Sequence, residues 1–105
     1  MPVERGPVAL DRTQRAGRLL VTPLALEEDS RCPVNARCMW AGRVVVRVVI
    51  DDGRGRLERR VTLGQSVAPG LVLDGVTPDR VAGGAPLLSS DYRFDFALAA
   101  PPIGG

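Results

Sequence analysis

The chain has 105 residues, 45% hydrophobic and 25% charged, with 14 basic residues that are all arginine, no histidine and a net charge of +2. That balance fits an ordinary globular domain with a modest core; a disordered chain would carry fewer aliphatic residues and more net charge. Without histidine, zinc fingers, Ser-His-Asp triads and Cys-His dyads are excluded, and the scattered arginines, not interleaved with aromatics, argue against nucleic acid.

One domain is expected over 1–105, ordered from about 7 to 99. No apolar run reaches the length of a membrane helix. The opening "MPVERGPVAL" has no basic-then-apolar signal layout. Helical periodicity is nearly absent, and 9 prolines and 12 glycines punctuate the chain too often for long helices.

In chain order, Val8–Leu10 reads as a short strand. "LLVTPLALEED", Leu19 to Asp29, is a strand broken or bent at Pro23. Proline cannot donate to a central ladder, so Pro23 belongs on an edge or at a bulge. The clearest strand is "RVVVRVVID", Arg43 to Asp51, with Val44, Val46, Val48 and Ile50 on one face. Extending that register backwards through Gly42 adds Trp40 and Cys38 to the same face. Trp40 is therefore expected in the core, where Trp40→Ala would cost about 3–5 kcal/mol.

"DDGRG", Asp51 to Gly55, reads as a hairpin loop. The return strand, Arg56 to Gly64, turns Leu57, Val61 and Leu63 to one face, with Arg59 intruding near an edge or bulge. Arg54, Arg56, Arg59 and Arg60 come closest to a basic cluster. "SVAPG" and "AGGAPLLSS" read as loops. Gly70 to Val81 is one or two short strands, turning at Asp74-Gly75 and ending at Thr77-Pro78. "YRFDFAL", Tyr92 to Leu98, alternates again, with Tyr92, Phe94, Phe96 and Leu98 facing in. The tail from Ala100 to Gly105 is expected to fray. Roughly six or seven strands joined by short turns imply an all-β fold: an antiparallel, immunoglobulin-like sandwich or a small barrel.

The segment "DSRCPVNARCMWAG" holds both cysteines and the one tryptophan. Five residues separate Cys32 from Cys38, enough for a loop to bring the Cα atoms within about 4.4–6.8 Å for a structural disulfide. A redox pair is the second reading, although it lacks the C-x-x-C at a helix N-terminus that stabilises a thiolate. A Cu(I) site of Cys32, Cys38 and Met39 is the third. Two inert buried thiols are the fourth. In "EEDS" the carboxylates of Glu27, Glu28 and Asp29 read as a solvated loop, in which Arg31 pairs with Asp29 or another carboxylate and fixes the loop. Ser30, Ser66, Ser89 and Ser90 have no visible base.

Asp29, Ser30, Arg31, Cys32 and Pro33, followed by Cys38, Trp40 and Gly42 and the valine strand, resemble a family of small bacterial secreted proteins and lipoproteins. Its members carry D-S-R-C-P and then C-x-W-x-G before a β-strand; "LVLDGVTP" and "YRFDFAL" are looser matches. The resemblance implies an extracytoplasmic β-sandwich with a Cys-Cys bridge and no assigned activity. The expectation is thus a non-enzymatic protein without a cofactor. It would be periplasmic or extracellular, with a structural role or a binding role towards a ligand or envelope protein, and would have no transmembrane segment. The alternative is a thiol-redox or copper-handling protein using Cys32, Cys38 and Met39, and a cytoplasmic location.

Overall fold

The structure, a computed structural model, describes residues 3–99; the expected fraying of Ala100–Gly105 lies outside the described residues. The chain is mostly strand. A five-stranded sheet contains β1 (Val3–Glu4), β2 (Thr13–Ala16), β3 (Leu19–Asp29), β4 (Val44–Asp51) and β5 (Arg56–Thr62), in that order. A three-stranded sheet contains β6 (Ser66–Val67), β7 (Leu71–Thr77) and β8 (Arg93–Leu98). All neighbours are antiparallel except β1 and β2. The sheets remain separate and do not close into a barrel.

The valine strand lies between β3 and β5, and its period-two pattern places Val44, Val46, Val48 and Ile50 wholly out of water. Leu19 and Val21 of β3, Val61 of β5, Leu71, Leu73 and Val76 of β7, and Phe94 and Phe96 of β8 join them in one apolar cluster. Each such side chain stabilises the fold by roughly 1.5–3 kcal/mol relative to exposure. Tyr92 enters the cluster with its ring stacked on Phe94, centroids 6.0 Å apart.

Pro23 lies in an inner strand, where the β3–β4 register slips between Pro23 and Ala25. The bulge accommodates the missing donor, and the Pro23 carbonyl accepts the Asp11 N–H. The β4–β5 hairpin turns through Gly53 and Arg54, closed by Asp52 N–H on the Gly55 carbonyl. Asp52 accepts the N–H groups of Arg54 and Gly55, and these bonds hold its carboxyl below the usual range.

Several details differ from the sequence reading. Asp74-Gly75 is a bulge within one continuous β7, not a turn. Val8–Leu10 reduces to a single bridge from Val8 to Phe94. Ser66–Val67, read as loop, pairs with β7. β2 carries the buried amide of Gln14, a polar residue at an inward position. Its carbonyl accepts the Phe96 N–H at 2.7 Å, and its NH2 donates to Asp95 at 2.7 Å and to the Arg5 carbonyl at 3.1 Å. Gln14 thereby bonds the first sheet to the free edge of β8.

Trp40 is the main correction. It is 62% exposed, outside the core, and β4 begins only at Val44. Gly42 takes φ +70°, so the backbone leaves the extended geometry on which alternation depends. Cys38 does not extend the buried register either; it is half-buried in the loop before β4.

Candidate functional site

Between β3 and β4 the chain leaves the sheet as a loop, residues 30–43, whose neck is closed by polar bonds. Ser30 N–H donates to the Arg43 carbonyl at 2.8 Å, and Arg43 N–H donates back to the Ser30 hydroxyl at 3.0 Å. That hydroxyl donates to Glu28 at 2.8 Å, and the Arg43 guanidinium reaches the same carboxylate at 3.0 Å. Arg43 and Ser30 hold the Glu28 carboxyl below its ordinary range. Gly42 is required here for two reasons. Its φ is left-handed, and a Cβ would collide with the Ser30 carbonyl.

The first limb of the loop is tied to the body through Arg31. Its guanidinium grips Asp29 with two bonds of 2.9 and 3.0 Å, and also donates to the carbonyls of Pro78 at 2.9 Å and Val76 at 3.3 Å. One side chain thus joins the end of β3 to the end of β7, across the two sheets. The Tyr92 hydroxyl donates to Asp29 at 2.6 Å. Burial pushes the Asp29 carboxyl up, but the bonds from Arg31 and Tyr92 outweigh it and leave it below the usual range. Burial and the bond to Asp29 push the Tyr92 phenol up to about 12. Asp29 was expected in a solvated loop, yet its side chain is only 6% exposed.

Further along the limb, Val34 N–H donates to the Arg80 carbonyl at 2.9 Å, and Arg80 donates to the Arg31 carbonyl at 2.6 Å. Asn35 exchanges two bonds with Ala82, at 2.8 and 3.1 Å. The disulfide loop is therefore bonded to the segment after β7. Sequence reading reached the Asp29–Arg31 pair because its members are two residues apart. It missed Arg80, Asn35 and the Tyr92 hydroxyl, whose partners lie 47 to 63 residues away.

Cys32 and Cys38 form a disulfide with Cα atoms 5.8 Å apart. Residues 37–41 make no hydrogen bond to the body among the described residues. The bridge and the hydrogen bonds of the neck anchor this second limb, which carries Met39, fully exposed, and Trp40. Both sulfurs are joined to each other, so Cu(I) binding through them requires prior reduction, and thiol–disulfide exchange would start from this oxidised form.

No family model, curated protein or solved structure matches the chain.

Val34, Met39, Trp40, Val81 and Leu88 are five of the seven large apolar side chains exposed among the described residues; the others are Val3 and Leu57. All five lie on the disulfide loop or on the segment between β7 and β8. A groove of about 660 Å³ is lined in part by Pro33, Pro78, Val81, Leu87 and Tyr92; of the five, Val81 lines it, and Val34 and Leu88 are chain neighbours of its lining residues Pro33 and Leu87. Arg37, exposed and outside any described ion pair, shares the limb with Met39 and Trp40. Exposed Trp, Met and Arg on a cross-linked support form a surface suited to desolvating contact.

Proposed function

We propose that this chain is a non-enzymatic, immunoglobulin-like β-sandwich of the periplasm or cell exterior that binds an envelope protein or ligand through its disulfide-loop end. The observation that carries the reading is that five of the seven exposed large apolar side chains lie on two loops bonded to each other, with Val81 in the groove. Exposed apolar surface concentrated in one region marks interaction sites. Trp and Arg are the commonest binding hot spots, and Met is enriched at interfaces. A braced loop also loses less conformational freedom on binding than a floppy one. Disulfides persist in oxidising compartments, which agrees with the resemblance of Asp29–Gly42 to secreted proteins and lipoproteins.

Photo-crosslinking in the source cells tests this. A photoreactive amino acid replacing Met39 should give a discrete adduct, while the same group replacing Arg12 on the body should give none. The reading fails if position 39 gives no adduct above that control.

A further inference from the structure

Unpaired strand edges invite foreign strands, so most proteins shorten, cover or charge them. Here the free edge of β8 is covered: Val8 exchanges both backbone bonds with Phe94, and Gln14 takes the Phe96 N–H. β1 and β6 are two residues each. β5, seven residues long, is the long open edge among the described residues.

Two bonds set its phase. Asp52 N–H meets the Gly55 carbonyl, and Leu63 N–H meets the Val44 carbonyl. The antiparallel register between them makes 50/57, 48/59 and 46/61 the hydrogen-bonded pairs. Leu57, Arg59 and Val61 therefore direct their backbone groups at β4, and Glu58 and Arg60 direct theirs outward. Only the Arg59 guanidinium covers the Glu58 carbonyl, at 3.0 Å. The inner face beside this edge is open as well. Leu57 is 37% exposed and Arg59 is exposed, although their partners Ile50 and Val48 are wholly buried.

The edge is also cationic. Arg54, Arg56, Arg59 and Arg60 stand against the single acid Glu58 within residues 54–60. Arg60 meets Glu27 at 2.9 Å and Arg56 meets Asp51 at 3.8 Å, with both arginines mostly in water, so these contacts are weak competitors. A second copy of β5 laid on this edge would bring arginine against arginine. An acidic strand would instead gain main-chain bonds and charge complementarity together.

We propose that the β5 edge is a strand-addition site for an extended acidic segment of a partner protein, separate from the disulfide-loop end. The incoming strand would bond to the backbone of Glu58 and Arg60, displace Arg59 from the Glu58 carbonyl, set alternate carboxylates beside Arg56 and Arg60 on one face and lay its apolar residues beside Leu57 and Arg59 on the other.

The test is an NMR titration of the full chain with a capped peptide of alternating Glu and Val. Binding should move the Glu58 and Arg60 amide resonances and slow their hydrogen exchange about tenfold or more. R59E/R60E should weaken it about tenfold or more, as should raising the salt from about 0.05 to 0.5 M. A peptide with Lys in place of Glu should not bind. A variant with the same side chains but every backbone amide N-methylated lacks the N–H donors and should bind at least about tenfold more weakly. Equal binding of the N-methylated variant would reduce the effect to charge attraction and overturn the proposal. So would no binding of the Glu-Val peptide up to ~1 mM, or shifts confined to residues 30–43.

Discussion

Removing the Asp29 carboxylate should destabilise the protein sharply, because two side chains depend on it. In Asp29→Ala the Arg31 guanidinium keeps the carbonyls of Val76 and Pro78 but loses two charge-assisted bonds, and the Tyr92 hydroxyl loses its acceptor. Breaking one side of a buried ion pair costs about 3–5 kcal/mol. Residual exposure of 15% for Arg31 and 6% for Asp29 lets water recover part of that, so the lower end, about 3 kcal/mol, applies. For a domain of this size that lowers Tm by about 12–24 °C. Denaturant unfolding of Asp29→Ala, Arg31→Ala and the double variant closes a mutant cycle, with an expected coupling of about 2 kcal/mol. Acid unfolding supplies a second readout. The Asp29 carboxyl lies below its ordinary value in the fold. Its contribution is therefore complete above the unfolded carboxylate pKa and is lost as pH falls through the lower folded one. Asp29→Ala should show a shallower acid limb than the parent. Coupling under about 0.5 kcal/mol, or an unchanged acid limb, would refute the clamp.

The disulfide should stabilise the fold by about 2 kcal/mol in the chain-entropy model; reduction should also lower Trp40 fluorescence anisotropy, because the limb loses its main anchor, and unchanged anisotropy would count against that anchoring role. Trp40→Ala should change stability by no more than about 0.5 kcal/mol, and the native protein should emit like solvated indole; a cost of about 3 kcal/mol would restore the buried assignment. Gln14→Leu leaves the Phe96 N–H without its acceptor, so it should cost about 1–3 kcal/mol and speed exchange of the Phe96 amide; unaltered exchange would show that another group satisfies it. Tyr92, raised to about 12, contributes stability that is complete below the ordinary tyrosine pKa and lost as pH rises through about 12; Tyr92→Phe should flatten the alkaline limb of a pH–stability curve.

The strands were legible where one physical rule governed them. β4 alternates valine with polar or half-buried positions, and its hairpin carries Asp-Asp-Gly, so period, turn and register agree. β8 follows for the same reason. Pro23 announced its bulge because a missing N–H has few places to go in a sheet. β2 was invisible because its inward residues are Gln14 and Ala16, one polar and one small. An amide is buried there only because the Phe96 N–H, 82 residues away, needs an acceptor. That requirement is tertiary and leaves no local periodicity.

Within the candidate site the motif was legible, but its purpose was not. Asp29 and Arg31 pair as adjacent opposite charges suggest. Yet the guanidinium also collects carbonyls from the end of β7, which turns a loop contact into a link between sheets. Trp40 was misplaced because alternation was carried through Gly42. Side chains alternate only while the backbone stays extended, and at φ +70° it does not. The Ser30 carbonyl occupies the space that a Cβ at position 42 would need, so the glycine that breaks the register also closes the loop neck. A Cys-Trp pair before a strand can therefore serve a role opposite to that of a core staple. Here the bridge ties the limb bearing Met39 and Trp40 to a limb already bonded to the body, and those side chains remain in water where a partner can reach them.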